Sequence, residues 1–262
     1  MTSGPVLSPD WGVYPVLFKV GKLEVPSYGV FMVLAVAAGI AVYYREAAKR
    51  RTVSENTFYI FMAGLAGGAL GAKIPIVILY WREMVGRQGA WDVLISGRSI
   101  VGGLLGGAVA VLLVKRALHI RERKGDLFAP AIALGMAIGR IGCFLRGCCY
   151  GTPTTLPWGV DFGDGIARHP TQLYEALFML GTFAGLMAIK DRAGPPGTLF
   201  RILMVSYFTC RFALEFIRVE GGAVWGLTFF QWISLVAVAW YGKDVWQAVR
   251  RQKGVNEYAS GT

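Results

Sequence analysis

The chain has 262 residues, of which 55% are hydrophobic and only 16% are charged. This composition is too apolar for an ordinary water-soluble domain, in which about a quarter of the residues are charged. The net charge is +11, but no nucleic-acid-binding motif accompanies it, so we expect no nucleic-acid partner. The composition therefore favours a polytopic membrane protein.

Seven apolar stretches follow one another along the chain, each close to the roughly 20 residues that span the hydrocarbon core of a bilayer. They cover residues 26–44, 58–80, 99–118, 127–148, 170–189, 198–218 and 224–242. The connections between them are too short for a separate soluble domain. We therefore predict an all-α fold with seven transmembrane helices in one domain, residues 1–244, followed by a polar, frayed cytoplasmic tail, residues 245–262.

Basic residues concentrate in every second connection between the predicted helices. This alternation follows the positive-inside rule and predicts a multi-pass protein with its N-terminus outside and its C-terminus in the cytoplasm. The first 25 residues lack the features of a removable signal peptide, so the first helix is expected to direct membrane insertion. The basic residues of the inner segments are Arg45, Lys49, Arg50 and Arg51; Lys115, Arg116, Arg121, Arg123 and Lys124; Lys190, Arg192 and Arg201; and Lys243, Arg250, Arg251 and Lys253.

Glycines three and four residues apart mark the second, third and fourth predicted helices. This spacing places them on one face, where they allow helix backbones to approach closely in lipid. They are Gly64, Gly67, Gly68 and Gly71; Gly102, Gly103, Gly106 and Gly107; and Gly135, Gly139 and Gly142. For Gly102 and Gly103 a second interpretation stays open, in which their backbone amides bind a ligand.

Polar and ionisable residues interrupt the fourth, fifth and sixth helices, where charge is costly and points to a functional site. Helical spacing places them on one face of each helix: Arg140; Gln172 and Glu175; and Tyr207, Arg211, Glu215 and Arg218. Ion pairs that join the helices are one interpretation of the two glutamates. Three arginines exceed two glutamates, however, and the planar guanidinium group suits phosphate. An anionic phospholipid is therefore the predicted ligand.

The same residues belong to a series of motifs that extends along most of the chain. The series runs through Ser27-Tyr28-Gly29, Gly102-Gly103-Leu104, Gly139-Arg140-Ile141-Gly142, His169-Pro170-Thr171-Gln172-Leu173-Tyr174-Glu175, Arg211-Phe212, Glu215-Phe216-Ile217-Arg218, Gln231 and Ser234. In order and spacing it resembles the bacterial prolipoprotein diacylglyceryl transferases. The resemblance implies a seven-helix enzyme of the bacterial inner membrane that needs no cofactor and no metal.

The resemblance also implies a reaction and a set of site residues. The diacylglyceryl group of phosphatidylglycerol would move to the lipobox cysteine thiol of a preprolipoprotein, and glycerol phosphate would leave. The expected partners are phosphatidylglycerol, preprolipoprotein signal peptides and membrane lipid. The implied catalytic residues are Arg140, Arg211 and Tyr28, and the implied substrate-binding residues are Gly102, Gly103, His169, Gln172, Tyr174, Glu175, Glu215 and Arg218.

One departure from the family pattern concerns the base. Val101 stands where the family usually has the histidine to which deprotonation of the incoming thiol is assigned. His169 is a candidate substitute, although it belongs to a motif of its own. An alternative function therefore stays open: a non-catalytic paralogue that binds anionic phospholipid, or an enzyme that moves a lipid group to another acceptor.

A second departure is a group of three cysteines, Cys143, Cys148 and Cys149, at the end of the fourth helix. Four roles stay open for them: inert packing, a disulfide between Cys143 and Cys148, a metal site to which His169 contributes, or a catalytic thiol activated by arginine. Cys210, in the sixth helix, is expected to pack.

Overall fold

The computed structural model describes residues 13–21, 23–51, 56–78, 99–120, 125–192, 194–218 and 223–260. Residues 1–12 and the predicted inner basic residues Arg121, Arg123 and Lys124 lie outside the described residues. The chain forms two compact units, one of which is Arg50–Glu122, while the other combines Met1–Lys49 with Arg123–Thr262. Each unit is described by itself.

The described residues form mainly helices, as predicted. The helices are α1 (Ser27–Lys49), α2 (Asn56–Gly71), α3 (Ile100–Ala117), α4 (Gly125–Arg146), α5 (Thr171–Ile189), α6 (Thr198–Leu214) and α7 (Phe229–Ser260), and a 3₁₀-helix covers Glu215–Ile217. Three short antiparallel hairpins join β1 (Val16–Val20) to β2 (Leu23–Pro26), β3 (Val160–Asp161) to β4 (Ala167–Arg168), and β5 (Ala223–Val224) to β6 (Leu227–Thr228). By length and composition, five described segments could cross a membrane: α1, Asn56–Ile78, α3, α4 and α5.

The C-terminal segment corrects one prediction. Residues 245–260 were expected to fray, but α7 continues without a break from Phe229 to Ser260. This segment contains no proline and several good helix formers, including glutamine, arginine, lysine and alanine. A polar composition therefore ended the apolar stretch without ending the helix.

Glycines bring α2 and α3 into backbone contact in the unit Arg50–Glu122, which confirms their predicted packing role. A Cβ atom at Gly106 would lie 2.5 Å from the carbonyl oxygen of Gly67 and 2.6 Å from the Cα atom of Gly71. A Cβ atom at Gly71 would lie 2.4 Å from the carbonyl oxygen of Gly102. No side chain fits between the two helices at these positions.

The amides of Gly102 and Gly103 are engaged at the start of α3. Ser99 is the N-cap residue of this helix, and its Oγ accepts a 3.2 Å hydrogen bond from the Gly102 N–H. Its carbonyl oxygen accepts a 2.9 Å hydrogen bond from the Gly103 N–H. Both donors therefore complete the helix terminus in this structure, and the close contact with α2 accounts for the absence of side chains.

Helix α4 is the centre of the other unit and packs against α1, α5 and α6. Small residues bring α1 close, because a Cβ atom at Gly135 would lie 3.3 Å from the carbonyl oxygen of Ala35. Asp126, in the first turn of α4, caps the start of α6. Its carboxylate accepts hydrogen bonds from the backbone N–H groups of Gly197 at 2.6 Å and Phe200 at 3.2 Å.

The α4–α5 loop, residues 147–170, begins with a Schellman motif that ends α4. Gly147 adopts φ +71°, its N–H bonds to the carbonyl oxygen of Phe144, and the N–H of Cys148 bonds to that of Cys143. Further along, the loop attaches to the end of α6, because the N–H of Thr152 donates a 2.8 Å hydrogen bond to the carbonyl oxygen of Ile217. These contacts place the loop beside the polar ends of α4, α5 and α6.

We expect Gly106→Val to destabilise the protein by about 1–3 kcal/mol, the usual cost of overpacking, because the α2 backbone must move away. Thermal unfolding in detergent micelles measures this effect. The matched control is Gly181→Val in α5, where no heavy atom lies within 4 Å of the added Cβ position. Equal melting temperatures for the two variants would contradict the close contact between α2 and α3.

Candidate functional site

A buried ion pair joins α4 to α5. Arg140 Nη2 lies 2.6 Å from Glu175 Oε2, and the exposed fractions of the two side chains are 5% and 1%. Arg140 belongs to the buried face of α4 that includes Ala137 and Phe144, and Glu175 to the buried face of α5. Helical periodicity therefore directs both charges inward, where each requires the other because an isolated buried charge is very unfavourable.

A second ion pair lies at the end of α6. Arg211 Nη2 lies 2.8 Å from Glu215 Oε2, one turn further along. Glu215 Oε1 accepts a 2.9 Å hydrogen bond from Thr228 Oγ1, and the Arg211 guanidinium carbon lies 4.9 Å from the centre of the Phe230 ring. The start of α7 therefore fixes both members of the pair, through a hydrogen bond and a cation–π contact.

The N-terminus of α7 is itself well defined. The Thr228 N–H donates to Gln231 Oε1 at 2.9 Å, and the Gln231 N–H donates to Thr228 Oγ1 at 3.2 Å. This reciprocal pair is a capping box, which satisfies two backbone donors at the helix start. It holds Thr228 in position to bind Glu215, so the capping of α7 contributes to the orientation of Arg211.

The two ion pairs converge on Tyr207. Its side chain is fully buried, and its hydroxyl lies within electrostatic range of Glu175 and of the three arginines, Arg140, Arg211 and Arg218. The predicted cluster of α4, α5 and α6 residues therefore forms. Sequence reasoning placed Tyr207 on the polar face of α6 but did not select it as a site residue. The four-residue spacing from Arg211 was the signal that could have identified it.

Several buried polar atoms in this cluster have no hydrogen-bond partner among the described residues. They are Arg140 Nε, Gln172 Oε1, Glu175 Oε1 and the Tyr207 hydroxyl. Buried polar groups are almost always hydrogen-bonded, because leaving one unsatisfied costs about 1–3 kcal/mol. The set contains both donors and acceptors beside several arginines. It can therefore bind a ligand that combines an anionic oxygen with hydroxyl groups.

The start of α5 fixes the three-cysteine segment. Gln172 Nε2 donates a 2.6 Å hydrogen bond to the carbonyl oxygen of Cys148, and Thr171 Oγ1 donates a 2.8 Å hydrogen bond to that of Cys149. Cys149 adopts the left-handed conformation, φ +67°, which is uncommon for a residue with a side chain. The carbonyl groups on both sides of the Cys149 Cα atom are therefore held by hydrogen bonds from the first turn of α5.

All four cysteines are free thiols, so the structure contains no disulfide between Cys143 and Cys148. Within the described segments, no group of three histidine, cysteine or acidic residues is placed to hold a metal ion. The Cys148 thiol donates a 3.5 Å hydrogen bond to the carbonyl oxygen of Cys143. The neighbouring thiols, followed by the charges of Arg140 and Arg218, lower the pKa of Cys149.

His169 and Tyr174 form a separate cluster near the start of α5. His169 Nδ1 lies 3.3 Å from the Tyr174 hydroxyl, which also accepts a 2.7 Å hydrogen bond from Trp158 Nε1. Sequence reasoning did not select Trp158, because nothing in its local sequence connects it with Tyr174. The cluster packs the α4–α5 loop onto α5.

The remaining predicted residues occupy other positions. Tyr28 lies in the first turn of α1 against Gly142, and the Arg146 guanidinium carbon is 5.4 Å from the centre of its ring. Gly102 and Gly103 belong to the unit Arg50–Glu122, as does Val101, which is 1% exposed and has no ionisable group.

Removing one member of the α4–α5 ion pair should be strongly destabilising. We expect Arg140→Ala to lower the free energy of unfolding by about 3–5 kcal/mol, because Glu175 then stays buried without its cation. The double variant Arg140→Met/Glu175→Leu should recover most of this loss. Thermal unfolding of purified protein measures both.

A matched control is Arg201→Ala in α6, whose ion pair with Asp244 is partly exposed at 3.1 Å. Exposed pairs contribute only about 0–1 kcal/mol. A loss for Arg140→Ala no larger than that for Arg201→Ala would contradict the importance of the buried pair.

Comparison with known proteins relates this arrangement to one family. The family model described as prolipoprotein diacylglyceryl transferase matches residues 15–242. Several relatives carry the name phosphatidylglycerol–prolipoprotein diacylglyceryl transferase, and three of them are described here. The Clostridium tetani protein is 33% identical, with 86% of this chain and 93% of the relative covered. The Geobacter sulfurreducens protein is 34% identical, with coverage of 78% and 82%. The Nitratidesulfovibrio vulgaris protein is 32% identical, with coverage of 91% and 94%. The chain therefore belongs to the prolipoprotein diacylglyceryl transferase family.

Proposed function

We propose that this protein transfers the diacylglyceryl group of phosphatidylglycerol to the lipobox cysteine thiol of preprolipoproteins. The observation that carries the proposal is the convergence of Arg140 and Arg211 on one buried cluster in a chain of this family. The names of the relatives specify the lipid and the protein substrate. A membrane-embedded phosphate would reach arginines at this position without leaving the lipid phase.

Arg140 and Arg211 are the proposed catalytic cations. Each guanidinium group is oriented by a glutamate, and its planar fork has the geometry that binds phosphate. As the carbon–oxygen bond to phosphate breaks, negative charge grows on the departing glycerol phosphate. Fixed donors stabilise this charge more than that of the bound lipid, which accelerates the reaction. Arg218, within range of Tyr207, adds positive charge to the same region.

Further polar atoms of the cluster suit the glycerol part of the headgroup. Gln172 Oε1 and Glu175 Oε1 are acceptors without partners among the described residues, and the Tyr207 hydroxyl can donate or accept. Hydroxyl groups of the departing glycerol would satisfy them. We further propose that Tyr28, His169 and Tyr174 border the route of the protein substrate. In this proposal, the role of Gly102 and Gly103 is to pack α3 on α2.

The proposed arrangement in the cell is a seven-span protein of the bacterial inner membrane with its N-terminus outside. Support comes from the five membrane-length helices, from α6 and α7 at the positions of the last two apolar stretches, and from the alternating basic connections. The α4–α5 loop then faces outward, on the side where lipoprotein precursors emerge. The part of α7 from residue 245 to residue 260 then extends into the cytoplasm.

The competing function is a paralogue that binds phospholipid without transferring it, or that uses another acceptor. The observation that favours it is Val101, which has no ionisable group and cannot remove a proton from a thiol. Detection of a diacylglyceryl adduct on a lipobox peptide excludes the non-catalytic function directly.

A mass-shift assay with purified protein, phosphatidylglycerol and a lipobox peptide tests the transferase. We expect a diacylglyceryl adduct, and we expect Arg140→Lys and Arg211→Lys to reduce its rate by about 100- to 1,000-fold. Lysine keeps the charge but loses the planar fork that binds phosphate at two points. Arg201→Ala, at the other end of α6, serves as the control and should retain the rate. Bound phosphatidylglycerol without any adduct would instead support the paralogue.

Reporter fusions test the proposed orientation. Alkaline phosphatase, which is active only outside the cytoplasm, should be active when fused after Asp164 in the α4–α5 loop. The same reporter should be inactive after His119, which follows α3. The reverse pattern would contradict the orientation that the basic residues predict.

A further inference from the structure

The β5–β6 hairpin differs from the other two hairpins in its lack of charge. An exposed ion pair between Lys19 and Glu24 joins β1 to β2, and Arg168 and Asp164 form another pair in the β3–β4 hairpin. By contrast, the sequence has no charged residue from residue 221 to residue 242, which includes β5, β6 and the first part of α7. Charged side chains are a usual means of keeping short exposed strands apart from other chains in water. The β5–β6 hairpin is therefore suited to a less polar environment.

Trp225 stands at the tip of this hairpin and is 90% exposed, the highest value among the large hydrophobic residues that the structure describes. Trp225 and Gly226 both have positive φ angles, +54° and +79°, and form the two-residue turn typical of hairpins. Asparagine is the common residue at the first position of such a turn. The tryptophan side chain combines apolar rings with a polar N–H group, and this combination favours the boundary between lipid and water.

An exposed apolar face of α7 continues the surface that begins at Trp225. The centre of the Trp225 ring lies 6.2 Å from that of the Trp232 ring, in an edge-to-face contact. Trp232, Val236 and Trp240 follow at four-residue spacing and share one helical face, and their exposed fractions are 37%, 67% and 73%. In a multi-pass membrane protein, a helical face of this composition contacts lipid. The lipid that covers this face therefore extends to the ring of Trp225.

The length of the apolar part of α7 places the hairpin near the membrane boundary. This part, residues 229–242, is about 21 Å long at 1.5 Å per residue, whereas the hydrocarbon core is about 30 Å thick. Helix α7 is also not among the described segments that could cross a membrane by length and composition. Lys243 ends the apolar part on one side, and the hairpin supplies further uncharged surface on the other. Interfacial tryptophans are common anchors at such an end.

The same hairpin holds one side of the arginine cluster. Thr228 is the last residue of β6 and pairs with Ala223 of β5. Its Oγ1 atom donates a 2.9 Å hydrogen bond to Glu215 Oε1, and Glu215 Oε2 lies 2.8 Å from Arg211 Nη2. Both charged side chains are buried. The position of the hairpin therefore affects the orientation of Arg211.

We propose that the β5–β6 hairpin is an anchor in the phospholipid interface on the outer side of the membrane. The ring of Trp225, in contact with Trp232, lies at the depth of the lipid headgroups and the first carbons of the acyl chains. This contact fixes the hairpin, and Thr228 transmits its position to Arg211 through Glu215. The anchor goes beyond the proposed function, whereas its effect on catalysis by Arg211 rests on that function.

Quenching of tryptophan fluorescence by brominated phospholipids measures the depth of Trp225. The protein is reconstituted in bilayers whose lipids carry bromine either near the headgroup or near the end of the acyl chain. The variant is Trp225→Asn, because asparagine before Gly226 suits the same turn and preserves the hairpin. The quenching that this variant loses is the contribution of Trp225. We expect this loss to be larger with bromine near the headgroup.

Trp240→Leu is the matched control for depth. Trp240 lies on the same face as Trp232, about two turns and roughly 12 Å further along α7. The quenching that this variant loses should be larger with bromine near the end of the acyl chain. The same depth for Trp225 as for Trp240 would overturn the interfacial anchor, as would no quenching of Trp225 by either lipid. Emission of Trp225 that responds only to added lipobox peptide, or only to protein concentration, would assign the surface to a peptide or to a second copy instead.

Transfer activity in the same bilayers tests the effect on Arg211. We expect Trp225→Asn to lower kcat about 10- to 100-fold with little change in the KM for the lipobox peptide, because a displaced hairpin misorients Arg211 in the transition state. Trp225→Tyr keeps an aromatic ring suited to the interface and should retain the rate. An unchanged kcat for Trp225→Asn would overturn the link between the hairpin and Arg211. If the wild-type protein modifies no peptide, the proposed function fails, whereas the quenching experiment still decides the anchor.

Discussion

The requirement that buried charge be neutralised organises the part of the molecule that contains the site. Arg140 and Glu175 form a 2.6 Å ion pair that is almost completely buried, and it joins α4 to α5. Arg211 and Glu215 repeat the arrangement at the end of α6. Neither member of a pair is stable in this position without the other. The same pairs orient the guanidinium groups, so the contacts that hold the helices together also prepare the proposed phosphate site.

The α4–α5 loop depends on the first turn of α5 in the same way. Side chains of Thr171 and Gln172 bind consecutive backbone carbonyl groups of the cysteine segment. Glu175, one turn later, binds Arg140. A single helical face therefore positions both the buried cation and the exposed thiol of Cys149. Movement of α5 would therefore disturb the Arg140 ion pair and the cysteine segment together.

Sequence reasoning predicted much of the candidate site because helical periodicity is a local property. Gln172 and Glu175 share a face, as do Arg211 and Glu215, and the structure brings these faces together. Tyr207 was visible on the same face, but only its burial among Glu175 and the arginines marked it as part of the cluster. The Gly102 and Gly103 amides show the limit of prediction from sequence. Their position allowed a ligand-binding interpretation, and only the structure revealed that Ser99 accepts a hydrogen bond from each of them.

The sequence by itself determined the helical class, the positions of the apolar stretches and the candidate charges, since these follow from composition and from spacing along one chain. It did not determine that α7 continues to Ser260, because a polar helix and a polar tail have similar compositions. Only the tertiary structure decided that Arg140 binds Glu175 and that Gln172 binds the backbone carbonyl group of Cys148. Those contacts join residues that are far apart in the chain, so the local sequence does not specify them.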